Sequence, residues 1–218
     1  MEDMLQQYGF RKHRKVYYRI VDNEVMQFIG AIYISGSWWL KYSYHFIHID
    51  MLDIYLDSIL NGLVEFDINA LIGKEEKCFR TKDEALNYLS TEHLDRLNEL
   101  KCVKDYIILC EKGLIMSSGY VQSPSIDEYL YLKDYDNAEK LISKDIVNYD
   151  DSIVLHIIKP IISNDDKEYE NCEISEVNKK DAFCFLNDIR NKKDFSEKYD
   201  KIYIENINYL NKKFKYSL

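Results

Sequence analysis

The sequence predicts an α+β fold: an N-terminal antiparallel meander packed with helices, followed by a mostly helical C-terminal half. Three observations predict it. Runs rich in aromatic and β-branched residues at 16–20, 25–34 and 38–49 are separated by turn residues, which is the pattern of consecutive hairpins. Apolar residues recur at helical spacing from residue 81 onward. The 218 residues are 46% hydrophobic and 14% aromatic, enough to bury a core and too aromatic for disorder. At ~100–200 residues per domain, the length fits a single domain, 1–218. A subdivision near 119–125 would separate a sheet-containing part, 1–118, from a mainly helical part, 126–218.

Residues 1–8 read as a short helix stopped by Gly9, because glycine accepts the left-handed backbone of a helix end. Val16-Tyr17-Tyr18-Arg19-Ile20 is a strand, Asp22-Asn23 a turn, and the apolar run 25–34 its partner strand. Gly36-Ser37 breaks the chain before the strand 38–49. There Trp39, Lys41, Ser43, His45, Ile47 and Ile49 share one face, and Trp38, Leu40, Tyr42, Tyr44, Phe46 and His48 the other. Bulky groups on both faces predict a central strand covered on both sides, within a three-strand meander over 15–50.

Further along, 51–60 reads as helical, and 63–68 alternates like a strand with Val64, Phe66 and Ile68 inward. Residues 77–80 form a short strand. Thr81 and Glu84 have the spacing of a capping box, and Ala85, Leu86, Leu89, Leu94, Leu97 and Leu100 predict one or two helices over 81–100. The run 103–110 is a buried helix or strand, and 119–125, with Pro124, is the most loop-like stretch. Helical patterns return at 126–132 and 137–142, a β-branched run at 153–162 is broken by Pro160, and helices at 179–190 and 195–213 close the chain.

The opening residues carry a resemblance. A helix ending at Gly9-Phe10, the basic step Arg11-Lys12, the strand Val16-Tyr17-Tyr18-Arg19-Ile20 and the run Val25-Met26-Gln27-Phe28-Ile29 resemble the start of an uncharacterised bacterial domain family. Its members begin with a helix, a Gly-Phe-Lys/Arg step and two aromatic-rich strands leading to a Gln-containing hydrophobic run. The resemblance covers about the first quarter of the chain. It implies the meander and no activity.

The first residues lack the basic start and apolar run of a secretory signal, and no window approaches the ~20 apolar residues of a membrane span. Five cysteines, Cys78, Cys102, Cys110, Cys172 and Cys184, form no CxxC pair and are odd in number, so they read as reduced thiols of a cytoplasmic protein. The net charge of −9 is not spread evenly. Residues 127–176 hold 14 Asp and Glu against five Lys, while the remainder has 24 acids and 24 bases. Such a segment attracts a basic partner and repels nucleic-acid phosphates and anionic lipid. Its simpler reading is a solvated acidic face. The basic run Arg11-Lys12-His13-Arg14-Lys15 lacks interleaved aromatics and reads as a connector, so no nucleic-acid partner is expected.

Chemistry-bearing constellations are sparse. His45, His48 and Asp50 are the nearest approach to a metal cluster. Strand alternation sends His45 away from the other two, leaving a His48/Asp50 pair, two ligands where zinc takes three or four. Asp67 followed by Glu75-Glu76-Lys77 has the acid, then acid-x-Lys, order by which nucleases hold Mg²⁺ and set a lysine near phosphate, and also reads as a charged turn. There is no GxSxG, and the chain has only seven glycines, none in a phosphate loop before a helix. The leading expectation is therefore an immunity-like, non-enzymatic binding protein for a basic protein partner, without cofactor. Asp134, Asp136, Glu139, Asp150 and Asp151 are its contact candidates. The alternative is a metal-dependent hydrolase using residues among His48, Asp50, Glu65, Asp67, Glu75 and Lys77. A homodimer through tyrosine-rich surface is compatible with either.

Overall fold

The computed structural model describes residues 2–13, 16–53, 78–88, 93–117, 120–148 and 184–214. The chain divides into two compact units, Met1–Pro124 with Lys198–Leu218, and Ser125–Glu197.

In the first unit, helix α1 (Glu2–Gln7) ends at Gly9, whose φ of +80° takes the left-handed conformation. Gly9 N donates to Gln6 O and Phe10 N to Leu5 O, both at 2.9 Å, closing a Schellman motif. Strands β1 (Arg11–His13), β2 (Val16–Val21), β3 (Val25–Ile34), β4 (Ser37–Phe46) and β5 (Cys78–Phe79) form one five-stranded antiparallel sheet in sequence order, the predicted meander extended by a strand at each edge. The β3–β4 hairpin turns on Ser35 and Gly36, with φ of 50° and 87°. Two consecutive positive φ values match the right-handed twist of the flanking strands, and glycine takes the second without strain. The short edge strand β1 is Arg-Lys-His, a charged edge that discourages pairing with other chains.

Register puts a different group of side chains on each face. Arg19, Gln27 and Tyr44 align across β2, β3 and β4, as do Tyr17, Ile29 and Tyr42. Over this face lie Tyr8 and Phe10, the segment through Leu97 and Leu100, and Tyr106, whose ring meets Tyr44 and Phe46 at 5.5 and 5.1 Å. The opposite face presents Val16, Tyr18, Met26 and Phe28, which pack with Ile47, Leu52 and Leu210 and with Tyr203, Ile207 and Phe214 from the last helix. The meander is therefore covered on both sides.

Between β5 and the unit boundary lie α2 (Lys82–Tyr88), α3 (His93–Leu97), α4 (Val103–Glu111) and a hairpin of β6 (Met116–Ser117) with β7 (Tyr120–Val121). The Thr81/Glu84 capping box forms, Glu84 N donating to Thr81 Oγ1 at 3.1 Å and Thr81 N to Glu84 Oε2 at 3.2 Å. Residues 103–110 resolve as helix, with Val103, Tyr106, Ile107, Leu109 and Cys110 buried. The β6–β7 pairing places a strand inside the stretch read as loop, because Gln122 N and Ile115 O close the ladder beyond Val121 and Met116.

In the second unit, α5 (Ile126–Tyr131) and α6 (Tyr135–Asn148) are followed by helical residues 184–190, and Ile126, Leu130, Ala138, Ile142, Leu186 and Ile189 are buried. The Glu128 carboxylate accepts from Ser125 N, and Asp134 caps α6 by accepting from Asn137 N at 3.2 Å. Helix α7 (Ser196–Phe214), which from Lys198 onward belongs to the first unit, closes the described chain. The strand readings at 63–68 and 153–162, most of the helix at 51–60 and the start of that at 179–190 lie outside the described residues.

Candidate functional site

A group of polar side chains in the first unit gathers around the turn after β4. The strand ends at Phe46, not at Ile49, because Asp50 folds back: its Oδ2 accepts the Phe46 N–H at 2.6 Å, while Ile49 N and Asp50 N donate to Phe46 O. Two-residue alternation therefore stops three residues earlier than the sequence suggests, and the face assignment of Asp50 changes with it. Asp50 Oδ2 stands 3.6 Å from His45 Nδ1, and His45 Nε2 stands 3.0 Å from Ser43 Oγ. His48 instead stacks on Tyr203 of α7, rings 4.3 Å apart and 5° from parallel. Burial lowers the His48 pKa, partly offset by Glu24, the Asn23 backbone and Asp200.

Helix α7 holds this turn through one buried residue. Asn206 Oδ1 accepts from Leu52 N at 3.0 Å, and its Nδ2 donates to Ile47 O at 2.7 Å and Asp50 O at 2.6 Å. A hydroxyl on one imidazole nitrogen and a carboxylate near the other is an arrangement through which a proton can pass. Here 3.6 Å exceeds hydrogen-bonding distance, and the same carboxylate oxygen already serves the Phe46 N–H, so its clearest role is to close the turn. Among the described residues no group of three or more His, Cys, Asp and Glu side chains could hold a metal ion. Glu65, Asp67, Glu75 and Lys77 lie outside the described residues. Cys78, Cys102, Cys110 and Cys184 are not joined in disulfides, and burial raises the Cys102 pKa. Among the described residues no helix is long and apolar enough to cross a membrane.

In the second unit the three described contact candidates have separate tasks. Asp134 is the N-cap of α6, and its Oδ2 also accepts from Asn137 Nδ2 at 2.8 Å. Glu139 receives Arg190 Nε at 2.7 Å, a pair separated by 51 positions that local sequence reading had no means to find. Asp136 is exposed in the first turn of α6, where the helix dipole favours a negative charge. Two more ion pairs, Lys133 with Asp194 at 3.4 Å and Lys193 with Asp188 at 2.5 Å, consume acids of this unit. Hydrogen bonds from Ser196 hold the Asp194 carboxyl below the usual range. Asp150 and Asp151 lie outside the described residues.

No protein-family model, curated protein or solved structure matches this chain.

Proposed function

We propose that this protein is a non-enzymatic binding module, of the immunity-like kind that neutralises a basic protein, and that it meets its partner with the acidic segment 127–176. The observation that carries the reading is the confinement of the entire net charge of −9 to that segment. Charge concentrated in this way accelerates encounter with a partner of opposite sign and discriminates against acidic competitors. Asp136 is the described candidate best suited to reach a partner's Arg or Lys, since Asp134 caps α6 and Glu139 is paired with Arg190.

The test is affinity capture by the tagged full-length chain from its own cells across a salt series, wild type beside Asp136→Lys combined with Asp150→Lys and Asp151→Lys. The expected result is a basic protein retained at low salt, released as salt rises and lost by the triple variant. Capture of no basic protein, or capture indifferent to salt and to charge reversal, would overturn the reading.

A further inference from the structure

The sheet face beneath α1 carries a buried cation. Arg19 is 7% exposed, its Nε donates to Gln27 Oε1 at 2.9 Å, its Nη1 donates to Tyr8 O at 2.8 Å, and Phe10 lies with its ring centroid 4.5 Å from the guanidinium carbon. All three of these partners are neutral. Gln27 is held in place for this by its other end, where Nε2 donates to both Leu97 O, at 3.0 Å, and Leu100 O, at 2.7 Å. Arg19 Nη2 is buried without a hydrogen-bond partner among the described residues.

A second orphan lies on the same face. Tyr42 is 2% exposed and its Oη is also buried without a partner among the described residues. Arg19 and Tyr42 lie on the same sheet face on the two strands that flank β3, offset by two residues in register, and the Arg19 side chain leans over β3 to reach Gln27. The Arg19 charge and the Tyr42 phenol feel each other electrostatically, yet burial pushes the Tyr42 pKa well above its ordinary value, so the phenol stays protonated and does not neutralise the cation. Both orphaned atoms therefore offer hydrogens. Buried donors are rarely left unmade, and one small acceptor placed between them satisfies both.

We propose that Arg19 Nη2 and Tyr42 Oη hold between them a buried single-atom acceptor, an ordered water oxygen or a halide-sized anion. It completes the polar layer by which the sheet grips the end of α1 at Tyr8 and the turn at 97–100. The site lies in the first unit and is independent of the acidic segment.

The test is a high-resolution crystal structure of the full chain grown in sodium bromide, with anomalous data. A peak within hydrogen-bonding distance of both Arg19 Nη2 and Tyr42 Oη supports the site, with anomalous signal identifying an anion and its lack a water. A direct hydrogen bond between the two side chains, or no density between them, overturns it. The variant Tyr42→Phe keeps the ring and removes one donor. If the occupant is an anion, the wild type melts higher in chloride than in gluconate at equal ionic strength, and Tyr42→Phe binds halide about tenfold more weakly. If it is water, the two salts give equal melting and the peak is lost in the Tyr42→Phe crystal. Retention of an unchanged peak in Tyr42→Phe overturns the assignment of the phenol as a partner.

Discussion

Replacing Asn206 with alanine should be among the most damaging single changes in the first unit. The side chain is 3% exposed and joins α7 to the turn after β4 through Leu52 N, Ile47 O and Asp50 O. Each such bond has a net worth of about 1 kcal/mol, and a buried group left unpaired costs about 1–3 kcal/mol. Ile47 and Leu52 are fully buried, so their backbone groups stay orphaned, whereas Asp50, at the partly exposed end of the turn, recovers a water. The sum is about 3–5 kcal/mol, a large share of the ~5–15 kcal/mol by which folded domains are stable. Urea unfolding followed by tryptophan fluorescence reads this unit specifically, because both tryptophans, Trp38 and Trp39, lie in β4. Asn206→Asp sharpens the test. Its carboxylate still accepts from Leu52 N but faces two carbonyl oxygens, so the loss should be greater at pH 8 than near pH 4, where a protonated acid can donate to one of them. A loss below about 1 kcal/mol for Asn206→Ala, with an unchanged urea slope, would refute the view that this residue pins the turn.

Three further expectations concern smaller effects. Lys192 ends the helical residues 184–190 in a Schellman motif at φ 52°, where glycine is unstrained, so Lys192→Gly should raise stability by about 0.5–1 kcal/mol in thermal or chemical melts. The Glu139–Arg190 pair is roughly half exposed, and a double-mutant cycle should return a coupling of about 0.2–1 kcal/mol that shrinks as salt is added. His48 has a folded pKa below 6.5, so above that pH both states are neutral and it contributes nothing. As pH falls through 6.5 the unfolded chain takes up the proton first and stability drops, levelling off below the folded pKa. His48→Phe, which preserves the stack on Tyr203, should flatten that part of a melting curve against pH, as NMR titration of the ring should corroborate.

The meander was readable because its information is local. Turn residues at Asp22-Asn23 and Gly36 punctuate runs of β-formers, and the side chains of β2 to β4 alternate between two covered faces, so the number, order and approximate ends of the strands follow from nearest neighbours. The helix ends were readable for the same reason: Gly9 and the Thr81/Glu84 pair act within four residues of themselves. Lys192 is the exception that shows the limit of this reading. It occupies the same left-handed position as Gly9 with a residue that carries no such signal, because tertiary contacts override a local penalty of only about 1–2 kcal/mol.

What alternation could not supply was where a strand stops being a strand. The partition of Ser43, His45, His48 and Asp50 into opposite faces assumes extended backbone to residue 49, whereas a single carboxylate returning to Phe46 N ends it at 46. That return is itself stabilised from 156 positions away by Asn206, through Asp50 O. The grouping of His45 with Asp50, and of His48 with Tyr203, is thus decided by packing between the chain's two ends. The same holds on the other face, where Arg19 and Gln27 sit at inward strand positions with no local cue that Tyr8, Leu97 and Leu100 would meet them. Polar residues at inward positions of an otherwise apolar strand are nevertheless a signal. Each demands a partner from elsewhere in the fold, and here the Gln27 amide is bonded at both its oxygen and its nitrogen while Arg19 Nη2 has no acceptor among the described residues.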